Sequence, residues 1–165
     1  RSSDLNTRNL LTIRALHRVR ETVVEGSDAP DAAGSPRVGE GTTADPVRID
    51  GFPFTDLGDT STGAQSEFDV YDGCSADQDE SGREVVYRLE VDQSTTLHAF
   101  VIDRGEVDVD LHLLGAPAAT SNCMARDHTE IRQAVGPGTY HFVLDSFVSD
   151  GTAHEGEYLF VLVRE

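Results

Sequence analysis

The sequence contains no lysine: all 13 of its basic residues are arginine, set against 30 acids, for a formal net charge of −17. Such a field repels nucleic acid and anionic lipid, and it favours cations, basic partners or plain solubility. Salt-adapted proteins carry a similar balance, so acidity by itself marks no ligand. Long hydrophobic runs are missing too. No stretch reaches the about 18 consecutive apolar residues that a membrane-crossing helix needs. No basic–apolar–small-residue leader is evident, so an exported chain is read here in processed form or as a piece of a longer one. The sequence motifs GxSxG, HExxH, the phosphate-binding P-loop and GxGxxG are all absent. The six histidines are scattered. Ser146 follows Asp145, with His141 four residues before the aspartate. On a strand, however, His141 and Asp145 share one face and Ser146 takes the other, which is the wrong arrangement for a nucleophilic trio. The expectation is a chain without catalytic activity.

Cysteine is scarce, with Cys74 in "YDGCSAD" and Cys123 in "TSNCMAR". Neither has a CxxC spacing or a cluster of histidines beside it, which argues against zinc bound through these thiols. Two cysteines in polar, turn-like contexts read as one disulfide in an oxidising compartment, with two free thiols as the alternative. The oxidised reading places the chain outside the cell or on its surface.

What remains is a chain of 165 residues, enough for one ordinary domain and an appendage. Residues 1–24 set Leu5, Leu10, Ile13, Leu16, Val19, Val23 and Val24 within one half of a helical wheel, with Leu11 off that face. Five arginines against Asp4 and Glu21 make this predicted amphipathic helix basic. Leu10, Ile13, Leu16, Val19 and Val23 would be its contact face, toward its own body, another copy of the chain or a membrane surface. Residues 25–46 are rich in glycine, proline and alanine and read as a flexible linker. From residue 47 to 165 the hydrophobic period becomes two. Val85, Tyr87, Leu89 and Val91 alternate with Val86, Arg88, Glu90 and Asp92. Val107 to Leu113, Tyr140 to Leu144 and Tyr158 to Leu162 repeat the pattern. Val47–Ile49, Glu67–Tyr71, Thr96–Ile102 and Glu130–Val135 are further strand candidates. Short strands separated by turn signals and lacking a second helix predict an all-β, antiparallel β-sandwich or jelly-roll-like domain.

The stretches "EVVYRLEV", "GEVDVDLHLLG", "GPGTYHFVLDSF" and "GEYLFVLV" resemble, in order and content, the bacterial pre-peptidase C-terminal domain family. The pieces that carry the resemblance are Val107–Leu111, Gly138–Ser146 and Gly156–Val163, and it extends over about residues 50–165, leaving out the helix and linker. The cysteine before "ESGREVVYR" and the one in "SNCMAR" resemble a cysteine-bearing subgroup. The resemblance implies a jelly-roll-like sandwich appended to exported peptidases and other exported proteins. It also implies a non-catalytic accessory role, and some members bind calcium.

Candidate chemistry falls on three stretches. "DQDESG" gives Asp77, Asp79, Ser81 and Gly82 the spacing of the first ligands of an EF-hand loop. The last ligand position would fall on Arg88, and a strand replaces the exit helix, so an EF-hand is excluded. A calcium loop completed by remote carboxylates and a solvated acidic turn stapled by Cys74 and Cys123 both stay open. Asp108, Asp110 and His112 share one strand face and could supply half of a cation site, or simply form a charged solvent face. Phe52 and Phe54, near Asp56 and Asp59, either tuck a loop against the sandwich or stack on sugar. Two functional expectations follow. One is an accessory domain binding protein or polysaccharide at the cell surface, with calcium as its possible cofactor. The other is a self-associating structural subunit of an extracellular filament or surface assembly, whose basic arm packs on the acidic body of the next copy. Neither involves nucleic acid.

Overall fold

The computed structural model describes residues 37–63 and 65–165. The predicted helix over residues 1–24, with the contact residues Leu10, Ile13, Leu16, Val19 and Val23, lies outside the described residues. Within them, eleven strands follow one another: β1 (Val47–Ile49), β2 (Phe54–Asp59), β3 (Glu84–Val91), β4 (Thr95–Ile102), β5 (Val109–Gly115), β6 (Cys123–Asp127), β7 (Glu130–Val135), β8 (Gly138–Ser146), β9 (Val148–Ser149), β10 (Thr152–Ala153) and β11 (Glu157–Arg164). They build a five-stranded sheet in the order β1-β3-β8-β5-β6 and a four-stranded sheet in the order β2-β11-β4-β7. The β9–β10 hairpin turns at Asp150 and Gly151, both at positive φ, as a tight two-residue turn requires.

The expected β-sandwich is present, with one departure from a wholly antiparallel pattern: β1 pairs with β3 in parallel. After β1 the chain crosses to the other sheet to form β2 and returns as β3 beside β1, running the same way. Residues just before β1 are tied to this edge, since Arg48 N donates to Val38 O and Val86 N to Gly41 O. The last part of the expected linker, residues 37–46, is therefore attached to the sheet.

Between the sheets lies a core in which Phe54, Tyr87, Leu89, Leu97, Leu111, Phe142, Leu144, Phe160 and Leu162 are buried. Fully burying one such side chain is worth about 1.5–3 kcal/mol. The Tyr87 hydroxyl donates to Asp56 at 2.6 Å and lies 2.7 Å from the Tyr158 hydroxyl, so the two phenols enter the core with their polar ends satisfied.

The sequence pattern passed over β2 and β6. In β2 the alternation is inverted. Leu57 points to solvent, 75% exposed, while Asp56 and Gly58 take the other face. Gly58 sits opposite Tyr158 in the ladder, and a Cβ there would lie 2.3 Å from the tyrosine ring. The inward position must be empty for the tyrosine to fill it. The expected strand over Glu67–Tyr71 does not form. Phe68 and Tyr71 are buried while Val70 between them is exposed, a spacing of three that a strand cannot present to one face.

Candidate functional site

The five-stranded sheet is covered on its inner face and over part of its outer face, where Arg88 and Glu90 of β3 stay exposed. The covered part of the outer face carries the unusual chemistry. The ladder pairs Asp110 with Asp145, His112 with Val143 and His112 with Arg126. One face therefore presents Glu84 and Val86 from β3, His141, Val143 and Asp145 from β8, Asp110, His112 and Leu114 from β5, and Arg126 from β6. The sequence reading offered Asp108, Asp110 and His112 a solvent face as the alternative to a cation site. That solvent face is corrected here: Asp110 and His112 are both 0% exposed.

What covers them is the irregular segment 65–82. It packs Phe68, Tyr71 and Ala76 on Val86, Leu114 and Val143. The disulfide between Cys74 and Cys123 clamps it to the start of β6. A 3-10 turn over Asp72–Cys74 brings the cysteine round, and Ser75 closes it in the left-handed region. Further along, Glu80 N donates to Asp69 O and Val148 N to Asp79 O. Glu84 anchors the near end, its Oε1 accepting from Gln65 Nε2 at 2.6 Å and from Glu67 N at 2.9 Å.

Beneath the segment, polar groups meet one another instead of water. The Tyr71 ring stacks on the His112 imidazole at 3.6 Å between centroids, and its hydroxyl donates to Asp145 Oδ2 at 2.5 Å. Arg126 reaches Glu80 Oε1 at 3.2 Å and also contacts Asp110 Oδ2. Burial pushes the Glu80 carboxyl up to about 9, helped by neighbouring Asp110 and opposed by Arg126. Burial lowers His112 to about 3, keeping its imidazole neutral. Burial, then the charge of Glu84, raises Asp145 well above the usual carboxylate range. Burial, then Asp145, raises Tyr71. These are groups whose charged forms have been made costly by burial; His112 is held by stacking, since neither of its ring nitrogens has a hydrogen-bond partner among the described residues.

The sequence-derived site residues separate into two places. Asp77, Asp79 and Ser81 lie on the exposed surface of the covering segment. Asp79 Oδ1 accepts from Ser81 N at 3.1 Å and from Ser81 Oγ at 2.5 Å, and these bonds hold the Asp79 carboxyl below its usual range. That turn closes on its own side chains. Asp108 and Asp110 come together elsewhere, with His128 as third member. Cys74 and Cys123 are joined as a disulfide. Phe54 is in the core, and Phe52 packs against it. Ser146 Oγ lies 2.8 Å from Thr60 Oγ1 and donates to Arg83 O at 3.0 Å, so these hydrogen bonds connect it to Thr60 and Arg83 and not to His141. Glu80, Arg126 and His128 were not singled out from the sequence. The available signal was Val86, Leu114 and Val143, apolar residues standing in the register assigned to solvent.

No protein-family model matches the chain, and no curated protein matches it. Among solved structures, the chain is similar to the pre-peptidase C-terminal domain of a collagenase from Bacillus anthracis, at 18% identity and a TM-score of 0.45, over 70% of this chain and 91% of that one. It is also similar to PliG of Aeromonas hydrophila, a periplasmic inhibitor of g-type lysozyme, at 9% identity and a TM-score of 0.42, over 68% of this chain and 83% of that one.

Proposed function

We propose that this chain is a non-catalytic accessory domain of an exported protein, binding protein or polysaccharide at the cell surface. The observation that carries the reading is the placement of the perturbed groups. Glu80, Glu84, His112 and Asp145 are each 0% exposed, under a segment clamped by a disulfide. Strongly shifted groups in an open cleft would mark a reaction centre. Shifted groups locked into one another under a lid of protein act as structure. The disulfide supports an oxidising compartment, and the sequence resemblance described above points to the same accessory role.

The test pairs binding with turnover. The disulfide-intact protein is sedimented with cell envelopes and with insoluble polysaccharides, then assayed on peptide, ester and glycoside substrates. The expected result is depletion from the supernatant without turnover. Turnover that disappears in Asp145→Asn or in His112→Ala would overturn the proposal.

A further inference from the structure

We propose that Asp108, Asp110 and His128 form a site for one first-row divalent metal ion, zinc being the best match, and not for calcium. The inference is independent of the accessory role. It begins from register. Leu111 pairs with Asp127 across β5 and β6, so one step further along Asp110 stands opposite His128. Asp108 lies two residues before Asp110, on the same face. One ligand atom from each residue falls within 4.8 Å of the others.

The Asp110 carboxylate is divided between two tasks. Its Oδ2 is held by Arg126. Its Oδ1 is buried without a hydrogen-bond partner, yet stands 2.5 Å from His128 Nδ1. A fully buried oxygen is thus aimed at a ring nitrogen without the alignment of a hydrogen bond. One ion held by both atoms at about 2.0–2.1 Å would set them about 3.3 Å apart, so the exposed His128 ring would draw back by about 1 Å to admit it. Arg126 then acts as the outer partner that fixes the orientation of a ligating carboxylate.

The donor set selects the ion. Calcium takes six to eight oxygens, and this face offers two carboxylates and a nitrogen. Zinc accepts imidazole and carboxylate together and commonly sits on three protein ligands with water as the fourth. The His128 side chain is 59% exposed, leaving a path for the ion and room for that water. The Asp108 backbone is pinned at both ends, its N donating to His154 O and its O accepting from Phe147 N. The acidic field of the chain draws cations toward it.

The experiment is calorimetric titration of the chelator-treated, disulfide-intact protein with zinc chloride and, separately, with calcium chloride. One zinc per chain is expected, at least tenfold weaker in His128→Ala and in Asp108→Asn. His98→Ala serves as the comparison, because His98 also lies between acids, 2.6 Å from Glu130 and 3.1 Å from Glu165; its affinity should be unchanged. Zinc should raise the unfolding midpoint of the wild type but not that of His128→Ala. His128 is exposed, so its variant keeps the fold, which circular dichroism verifies. Three results would overturn the proposal: no zinc uptake, uptake unaltered by His128→Ala, or calcium bound as tightly as zinc.

Discussion

Asp145 shows how a single residue is shaped by what folds over it. Its carboxylate accepts from Tyr71 and from the Ser146 amide, and Tyr71, Glu80 and Glu84 all face it from the covering segment and β3. Burial raises both Asp145 and Glu84, so the folded protein keeps protons that the unfolded chain releases. Stability therefore falls as pH rises from the ordinary carboxylate range through the raised folded-state values. Asn is close in size to the protonated acid and has no such equilibrium. In Asp145→Asn the unfolding midpoint should drop less than in the wild type as pH rises above the ordinary carboxylate value of about 4; equal slopes would mean that Asp145 is ionised in the folded protein. None of this was legible in "HFVLDSF" by itself. The alternation placed Asp145 away from the inter-sheet core, and that was correct. It did not reveal that a second layer covers the same face, because the covering residues come from more than 60 positions earlier in the sequence.

At the scale of elements, the strands with strict alternation were readable, and those whose inward positions are small or polar were not. β3, β8 and β11 declare themselves through Tyr87, Phe142 and Phe160. β2 hides because Gly58 faces inward to admit Tyr158, a demand set by the neighbouring strand. The covering segment is harder still, since it has no period and draws its order from the disulfide and from hydrogen bonds to Glu84, Asp145 and neighbouring backbone. Its stability is correspondingly concentrated. Cys74 and Cys123 are separated by 49 positions, and closing a loop of that length lowers the entropy of the unfolded chain enough to be worth about 4 kcal/mol. Replacing both cysteines by serine should reduce the unfolding free energy by about that amount in denaturant titration. A loss below about 1 kcal/mol would show that hydrogen bonding and the Phe68–Tyr71 packing hold the segment without the staple.

At the largest scale, the described residues form a sandwich with a third layer over one sheet. The inter-sheet core supplies the fold. The stapled layer turns a row of acids and imidazoles that would otherwise line an open surface into a buried network, and the metal site proposed at Asp108, Asp110 and His128 marks where that network meets water. The non-catalytic reading depends on the layer staying closed. Hydrogen–deuterium exchange measures that directly, in the disulfide-intact protein and in the Cys74→Ser, Cys123→Ser double variant. The amides of Ala76, Glu80 and Glu84, which donate to Tyr71 O, Asp69 O and Gln65 O, should exchange slowly in the intact protein, together with those of β3, β5 and β8. In the double variant the amides of residues 65–82 should become fast while those of the inter-sheet strands stay protected. Rapid exchange across 65–82 in the intact protein would contradict the account, for it would leave Glu80, His112 and Asp145 open to solvent and to substrate.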